Sequence, residues 1–562
     1  MKQIHGNPLP LGVTVVKDKI NFSVEVPEGA ECSLLLYHPG KTTPFAEYPM
    51  TESVGEVRCL ALEKTGTRCY EYNYLIDGEV KTDPYAKALA GRAQWRSKSD
   101  VKKHEIRGIV YRKEYDWEGD KPLNLPYHEV VAYSLHVRGF TKDSGSKVRK
   151  KGTFEGVIEK LEYLKDLGVN QIQCMPVYEF EECGLYCNYW GYGEGYYFAP
   201  KSAYSACGDA VRSLKDMVKA FHKAGIEVVL EMPFHNSLPK IVMEECLRYY
   251  MMEYHIDGFI VNPAIAPMDG ICHDPVLKKT KILHHETAFQ NVMRRVLKGD
   301  EGMVPDLMYW LRHLSGKDGT FNYITSHTGF SLNDLVSYDR KHNESNGENN
   351  QDGPDYNFSW NCGAEGPSRK KEVQKLRKRQ VRNAFLLTLL AQGTPCILAG
   401  DEFGNSQKGN NNVYCQDNPI GWVNWRKLTK EEELHDFVKK VIEIRGKYPV
   451  FSPEREMLGM DKTGCGVPDV SYHGESAWRV QSEVSSRQLG VYYSEAAGKN
   501  PDVYVAYNMH WLDHTFALPA LTKGKKWHVL LSTDDVKGSE KPVKNSKSME
   551  VAARTIVVLV GR

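Results

Sequence analysis

From about residue 129 the chain alternates short apolar runs with amphipathic helical stretches, and this rhythm limits the possible folds more than any other feature. Val130-Val-Ala-Tyr-Ser-Leu-His136 reads as a strand. Thr153 then offers an N-cap to a helix whose apolar residues Phe154, Val157, Ile158, Leu161 and Leu164 recur at helical spacing, and Gly168 stops it. Gln171-Ile-Gln-Cys-Met175 is a second strand. A helix over 211–224 leads into a strand over 226–231, and a helix over 243–254 leads into a strand over 258–261. Further strands are expected at 281–283, 321–325 and 395–398, with a long helix over 374–392 before the last. Repeated βα units of this kind form a closed parallel barrel or a doubly wound sheet. No GxGxxG or phosphate loop follows any strand, which argues against the dinucleotide-binding form.

The flanks have a different rhythm. Ile20-Asn-Phe-Ser-Val-Glu-Val26 alternates as a half-buried strand does, Glu31-Cys-Ser-Leu-Leu-Leu-Tyr37 follows a turn, and Glu71-Tyr-Asn-Tyr-Leu-Ile76 with Asp77-Gly78 reads as a hairpin. Short strands return at 503–507, 528–532 and 555–560. At 562 residues the chain exceeds one core. The expected division is an all-β sandwich over 1–120, the βα region over 121–445 and a second all-β sandwich over 446–562.

Charge and cysteine content exclude several function classes. A formal net charge of +1 gives no electrostatic reason to expect nucleic acid or an anionic membrane as partner. No apolar run is long enough to span a bilayer. The stretch MKQIHGNPLPLGV lacks the apolar centre of a secretory signal. Thirteen cysteines without framework spacing suit the reducing cytoplasm, and Cys183 with Cys187 read as reduced thiols because no second pair lies nearby. The aromatic share of 11% suits stacking on the apolar faces of sugars.

Long strings in the central region carry a family resemblance. Asp257-Gly-Phe-Ile-Val-Asn262 resembles the DGFRFD pattern of α-amylase-type enzymes, glycoside hydrolase family 13. Tyr133-Ser-Leu-His-Val-Arg-Gly-Phe-Thr141 looks like the first barrel strand of isoamylases and bacterial glycogen-debranching enzymes. Asn188-Tyr-Trp-Gly-Tyr192 is similar to their sugar-stacking segment. Asn333-Asp-Leu-Val-Ser-Tyr338, His342-Asn-Glu-Ser-Asn-Gly-Glu-Asn-Asn350, Asn357-Phe-Ser-Trp-Asn-Cys362, Gly400-Asp-Glu-Phe-Gly404 and Gly409-Asn-Asn-Asn-Val-Tyr-Cys-Gln-Asp417 resemble the debranching branch specifically. The resemblance implies an N-terminal sandwich of the family 48 carbohydrate-binding type, a (β/α)₈ TIM barrel, a C-terminal sandwich, and α-glucan as ligand.

The same resemblance identifies what has changed at the reaction centre. Retaining glycosidases need two carboxyls about 5–5.5 Å apart, a nucleophile and an acid/base. The nucleophile's position holds Asn262, whose amide is a very poor nucleophile and whose deamidation is blocked by Pro263, which has no N–H. The Arg that orients the family's nucleophile is Ile260, so both members of a buried charge pair are lost together. The acid/base position falls on His285, with Glu286 one residue later and facing the other way on a strand. The third carboxylate's position holds Thr328, after a retained His327. Where the family reads "DVVxNH", this chain reads Glu231-Met-Pro-Phe-His235-Asn236, and about 20 residues join His235 to His255 in place of the family's longer cleft-forming connection.

These changes imply an α-glucan-recognising debranching-enzyme relative that is catalytically silent or strongly impaired, acting as a regulatory partner of an active homologue. The alternative is an active α-1,6-glucosidic hydrolase with relocated carboxylates, drawn from Glu231, Asp257, Asp269 and Glu286. Sugar-contacting candidates are Tyr189, Trp190, Tyr192 and His327, with Asn410, Asn411 and Asn412 on the acceptor side. No cofactor is implied. His284, His285 and His235 lack the carboxylate partners and spacing of a known metal site, so no metal is expected.

Overall fold

Ala132–Leu135, Gln171–Cys174, Glu227–Glu231, Gly258–Ile260 and Lys281–Leu283 pair in parallel in chain order, and Cys396–Leu398 pairs with the first of them. The computed structural model that shows this describes residues 1–66, 68–96, 106–184, 186–315, 319–494, 500–522, 524–536 and 540–562. The fold class is α/β, a TIM barrel of the (β/α)₈ type with all-β regions at both ends. Amphipathic helices cover the wall, among them Ala210–Lys223, capped by Asp209, and Lys371–Leu389.

The wall has one irregularity. Residues 321–325 join it through a single parallel bridge between Asn322 and Pro395, with Asn322 N–H donating to Thr394 O at 2.7 Å. On the other side the N–H of His284 donates to Gly319 O at 2.8 Å, so this segment lies against the fifth stave. Between the helix Thr287–Lys298 and residue 321 the described residues contain the helix Val304–Arg312 and no strand. Among the described residues the wall therefore has seven staves, and the seventh position of an eightfold barrel meets the fifth.

Strand alternation decides which side chains enter the barrel. Ala132, Val229, Ile260, Leu283, Phe321, Tyr323 and Cys396 form one buried cluster, which fills the interior. The same alternation turns Glu231, two residues beyond Val229, inward at the carboxyl end of the third stave. His285 follows Leu283 in the same sense, and His327 follows Tyr323 by four. At the opposite end Glu227 is buried, paired with Lys281 and accepting a hydrogen bond from Gln171 at 2.8 Å.

Most expected elements form with shifts of a residue or two. The helix expected from Thr153 is divided into Phe154–Ile158 and Leu161–Leu167; Thr153 caps the first and Gly168, in the left-handed region, ends the second. The helix Lys240–Tyr254 starts earlier than its periodicity suggested and takes up most of the short connection between His235 and His255. In the N-terminal region two sheets enclose a core that includes Ile20, Phe22, Leu34, Leu36, Leu60 and Tyr72. In the C-terminal region a six-stranded sheet built on Val503–Asn508 and Thr555–Gly561 faces a two-stranded antiparallel sheet of His514–Ala517 and Ser548–Val551. No helix among the described residues is long and apolar enough to cross a membrane.

Candidate functional site at the barrel mouth

Four side chains meet above the carboxyl ends of the staves. The hydroxyl of Tyr192 donates to Oε1 of Glu231 at 2.6 Å and lies 2.6 Å from Nε2 of His327. Nε2 of His285 lies 3.4 Å from the same Glu231 oxygen. Tyr192 comes from the loop after the second stave, and that loop is held by its own sequence. Asn188 accepts from Gly191 N–H and donates to the carbonyl of Tyr192, both at 2.9 Å. Gly191 adopts φ +85°, and a Cβ there would meet the Phe180 ring at 2.4 Å, so this turn requires glycine.

Electrostatics at the mouth follow from burial. Burial pushes the Glu231 carboxyl up, but the neighbouring imidazoles and the hydrogen bonds from His285 and Tyr192 reverse this and hold it below the ordinary carboxylate range. Burial pushes the His327 imidazole down to about 4, so it is neutral at pH 7. Trp190 presses its ring edge to His327, with centroids 5.0 Å apart at 90°. Beneath it a small cavity of about 50 Å³ is lined by His136, Tyr189, Trp190, His327 and Asn405.

Three of the expected sugar contacts are corrected by their burial. Tyr189 is 1% exposed, packs on His136 with ring centroids 4.1 Å apart, and donates its hydroxyl to Gly421 O, leaving no ring face for a sugar. Asn410 and Asn411 are buried as well. The Asn410 amide donates to Asn346 at 2.8 Å; that of Asn411 donates to Pro354 O at 2.8 Å and accepts from Asn343 at 2.8 Å. Asn412 donates to Asp352 at 2.9 Å. These amides tie the 342–357 loop to the 409–417 loop, and their bonding capacity is used there. Tyr192 and His327 do reach the mouth, with Trp190 behind them.

Comparison with known proteins agrees with this architecture. The model of the α-amylase catalytic domain matches residues 135–259, ending just before Ile260 and Asn262. The glycogen operon protein GlgX homolog of Haemophilus influenzae is 31% identical over 78% of this chain and 84% of its own length. The chain belongs to the isoamylase and glycogen-debranching branch of glycoside hydrolase family 13. Another family member, the chloroplastic isoamylase 1 of Oryza sativa, is 29% identical over 94% of this chain and 82% of its own length. A pullulanase from Paenibacillus barengoltzii, solved with maltohexaose and α-cyclodextrin, superposes with a TM-score of 0.76 at 18% identity, covering 99% of this chain and 95% of that one.

The residues that the sequence resemblance assigns to the reaction centre lie as follows. Asn262 is exposed, and its Oδ1 accepts from Ala264 N–H at 3.0 Å, so the amide is folded onto its own turn. Thr328 is exposed, with its hydroxyl 3.1 Å from Ser326 Oγ. Ile260 is buried among Val229, Leu283, Phe321 and Tyr323.

The relocated carboxylates are scattered. Asp257 is buried at the amino end of the fourth stave, bonded to His222 at 2.8 Å and to the N–H groups of Leu123 and Val228, both at 2.7 Å. It is a structural anchor far along the strand from the mouth. Glu286 caps the helix Thr287–Lys298 through Ala288 N–H, and Asp269 is exposed on the helix Met268–His273. Only Glu231 of these four enters the mouth. His235 bonds Ser237 at 2.7 Å, and the trio His284, His285 and His235 is not assembled as one cluster. The grouping that the sequence reading missed is Tyr192, Glu231, His285 and His327; its signal was the shared inward parity on three staves.

Proposed function

We propose that this chain binds α-glucan of the glycogen, starch or maltodextrin type and does not hydrolyse it at the rate of a debranching enzyme. It would serve as a regulatory or targeting subunit beside an active debranching homologue. The observation that carries this reading is Asn262. An amide folded onto its own turn stands where the family places its nucleophile, and a retaining mechanism has no covalent intermediate without that carboxylate. His285 and Thr328 at the two companion positions support it, because neither can stand in for the missing pair. Losing groups that act as one catalytic unit costs about 10⁴–10⁶ in rate.

Glucan as ligand is supported by the relatives' names, which are isoamylases and a glycogen operon protein, and by the aromatic and imidazole groups kept at the mouth. The division at about residues 120 and 445 belongs to the same reading, with the N-terminal sandwich as a carbohydrate-binding region. A reducing cytoplasmic setting is supported by thirteen free thiols.

The test is incubation of the purified chain with glycogen and with a branched maltodextrin. No reducing ends above blank are expected, and affinity electrophoresis in glycogen gels should show retardation. Turnover at a hundredth of an active debranching enzyme's rate would sink the silent reading. Migration unaffected by glycogen would remove the glucan-binding one.

A further inference from the structure

The geometry points to a divalent transition-metal site of the zinc class, formed by Glu231, His285 and His327 at the barrel mouth. One ligand atom from each of the three lies within 4.8 Å of the others. The separation of 3.4 Å between His285 Nε2 and Glu231 Oε1 matches the edge of a tetrahedron whose metal–ligand distances are about 2.1 Å. The two imidazole rings stand with centroids 5.5 Å apart at 71°, so their nitrogens approach the carboxylate from different directions.

Three properties favour a cation over a plain hydrogen-bond cluster. Two imidazole nitrogens and one carboxylate are the nitrogen and oxygen set that zinc takes at sites keeping an open position. Each ligand stands at the end of a different stave, so the wall fixes their spacing. His327 is 6% exposed and its ring is held edge-on against Trp190, which fixes Nε2 at the cluster, 2.6 Å from the Tyr192 hydroxyl. His285, with 31% of its side chain exposed, gives an entry path from solvent.

The Tyr192 hydroxyl, 2.6 Å from both Glu231 Oε1 and His327 Nε2, lies between two of the ligands. A cation entering there must displace it from one or both bonds. Water then completes the coordination on the solvent side. Tyr192 is therefore a competitor for the site, and Tyr192→Phe is expected to bind the metal more tightly than the unaltered chain.

The test uses the full chain, stripped with a chelator and titrated with Zn²⁺ against a chromophoric competitor. Cobalt(II) serves as a reporter that separates this site from the thirteen free thiols. One zinc per chain is expected in competition with the chelator, with a cobalt spectrum free of the thiolate charge-transfer band. His285→Ala and Glu231→Gln should each weaken binding by at least about tenfold, while His284→Ala and His235→Ala leave it unchanged. Mg²⁺, which prefers oxygen ligands and octahedral geometry, should not compete. Zinc affinity indifferent to both His285→Ala and Glu231→Gln, or cobalt spectra dominated by thiolate, would overturn the proposal. Because the readout is metal affinity, it is independent of whether the chain binds or hydrolyses glucan.

Discussion

The hydroxyl of Tyr192 donates to Glu231 across 2.6 Å, fastening the loop after the second barrel stave to the end of the third. In an enzyme of this fold the carboxyl ends of the staves present catalytic groups to substrate. Here the inward carboxylate of the third stave is engaged by the protein's own phenol, with His285 on the same oxygen.

Tyr192→Phe removes a donor to a buried carboxylate and leaves its oxygen short of one partner. A loss of about 1.5–3 kcal/mol in unfolding free energy is expected, the range for hydrogen bonds to charged groups. Urea titration of both proteins measures it. A change below about 0.5 kcal/mol would mean that water replaces the phenol without cost.

Restoring the family's residues is not expected to restore its chemistry. Asn262→Asp, His285→Glu, Thr328→Asp and Ile260→Arg together should still release no reducing ends from glycogen. The helix Lys240–Tyr254 takes up most of the short connection between His235 and His255, and His284 at the end of the fifth stave bonds directly to Gly319. Ile260→Arg alone should destabilise the barrel by about 1–3 kcal/mol even with Glu231 opposite it, because the longer side chain overpacks the space among Val229, Leu283, Phe321 and Tyr323. Thermal unfolding of that single variant checks the second expectation.

Acid should weaken the first βα connection through His136. Its Nδ1 accepts from Gly139 N–H at 2.9 Å and its Nε2 donates to Tyr189 O at 2.8 Å, an arrangement possible only for the neutral ring. Burial pushes its pKa down to about 4. A base whose folded value lies below its unfolded value, about 6.5, contributes stability that is complete above pH 6.5. That contribution, up to about 3 kcal/mol, is lost as pH falls from 6.5 toward 4. Unfolding free energies of the unaltered chain and of His136→Gln across this window give the measurement, and the variant should show the smaller loss.

Asn411→Ala separates a structural amide from a sugar-binding one. Asn411 bonds Asn343, Pro354 and Asn357, so truncation should cost about 2–3 kcal/mol by leaving buried partners unsatisfied. A direct sugar contact would instead lower glycogen retention and leave the unfolding curve in place.

Much of the fold was legible because its cause is local. The strand over 281–283 and the helical stretch that Thr153 caps follow from alternation, spacing and cap chemistry carried by consecutive residues. The segment 321–325 was legible as extended chain, but its lone bridge to Pro395 depends on where the fifth stave ends. Strand parity turns Glu286 away from His285 in the sequence, and in the structure its carboxylate caps a helix. Tyr189 and Asn411 stand in motifs that suggested sugar contact, and only packing revealed that their polar atoms were already committed.

The sequence by itself determined the barrel, its β-rich flanks and its family. These rest on residue identity and short-range order. Only the tertiary structure decided that Tyr192, Glu231, His285 and His327 converge, because 135 residues separate Tyr192 from its partner His327 and no local pattern links them. Closure of the wall, with its staves ending at one rim, brings those four side chains within reach of one another.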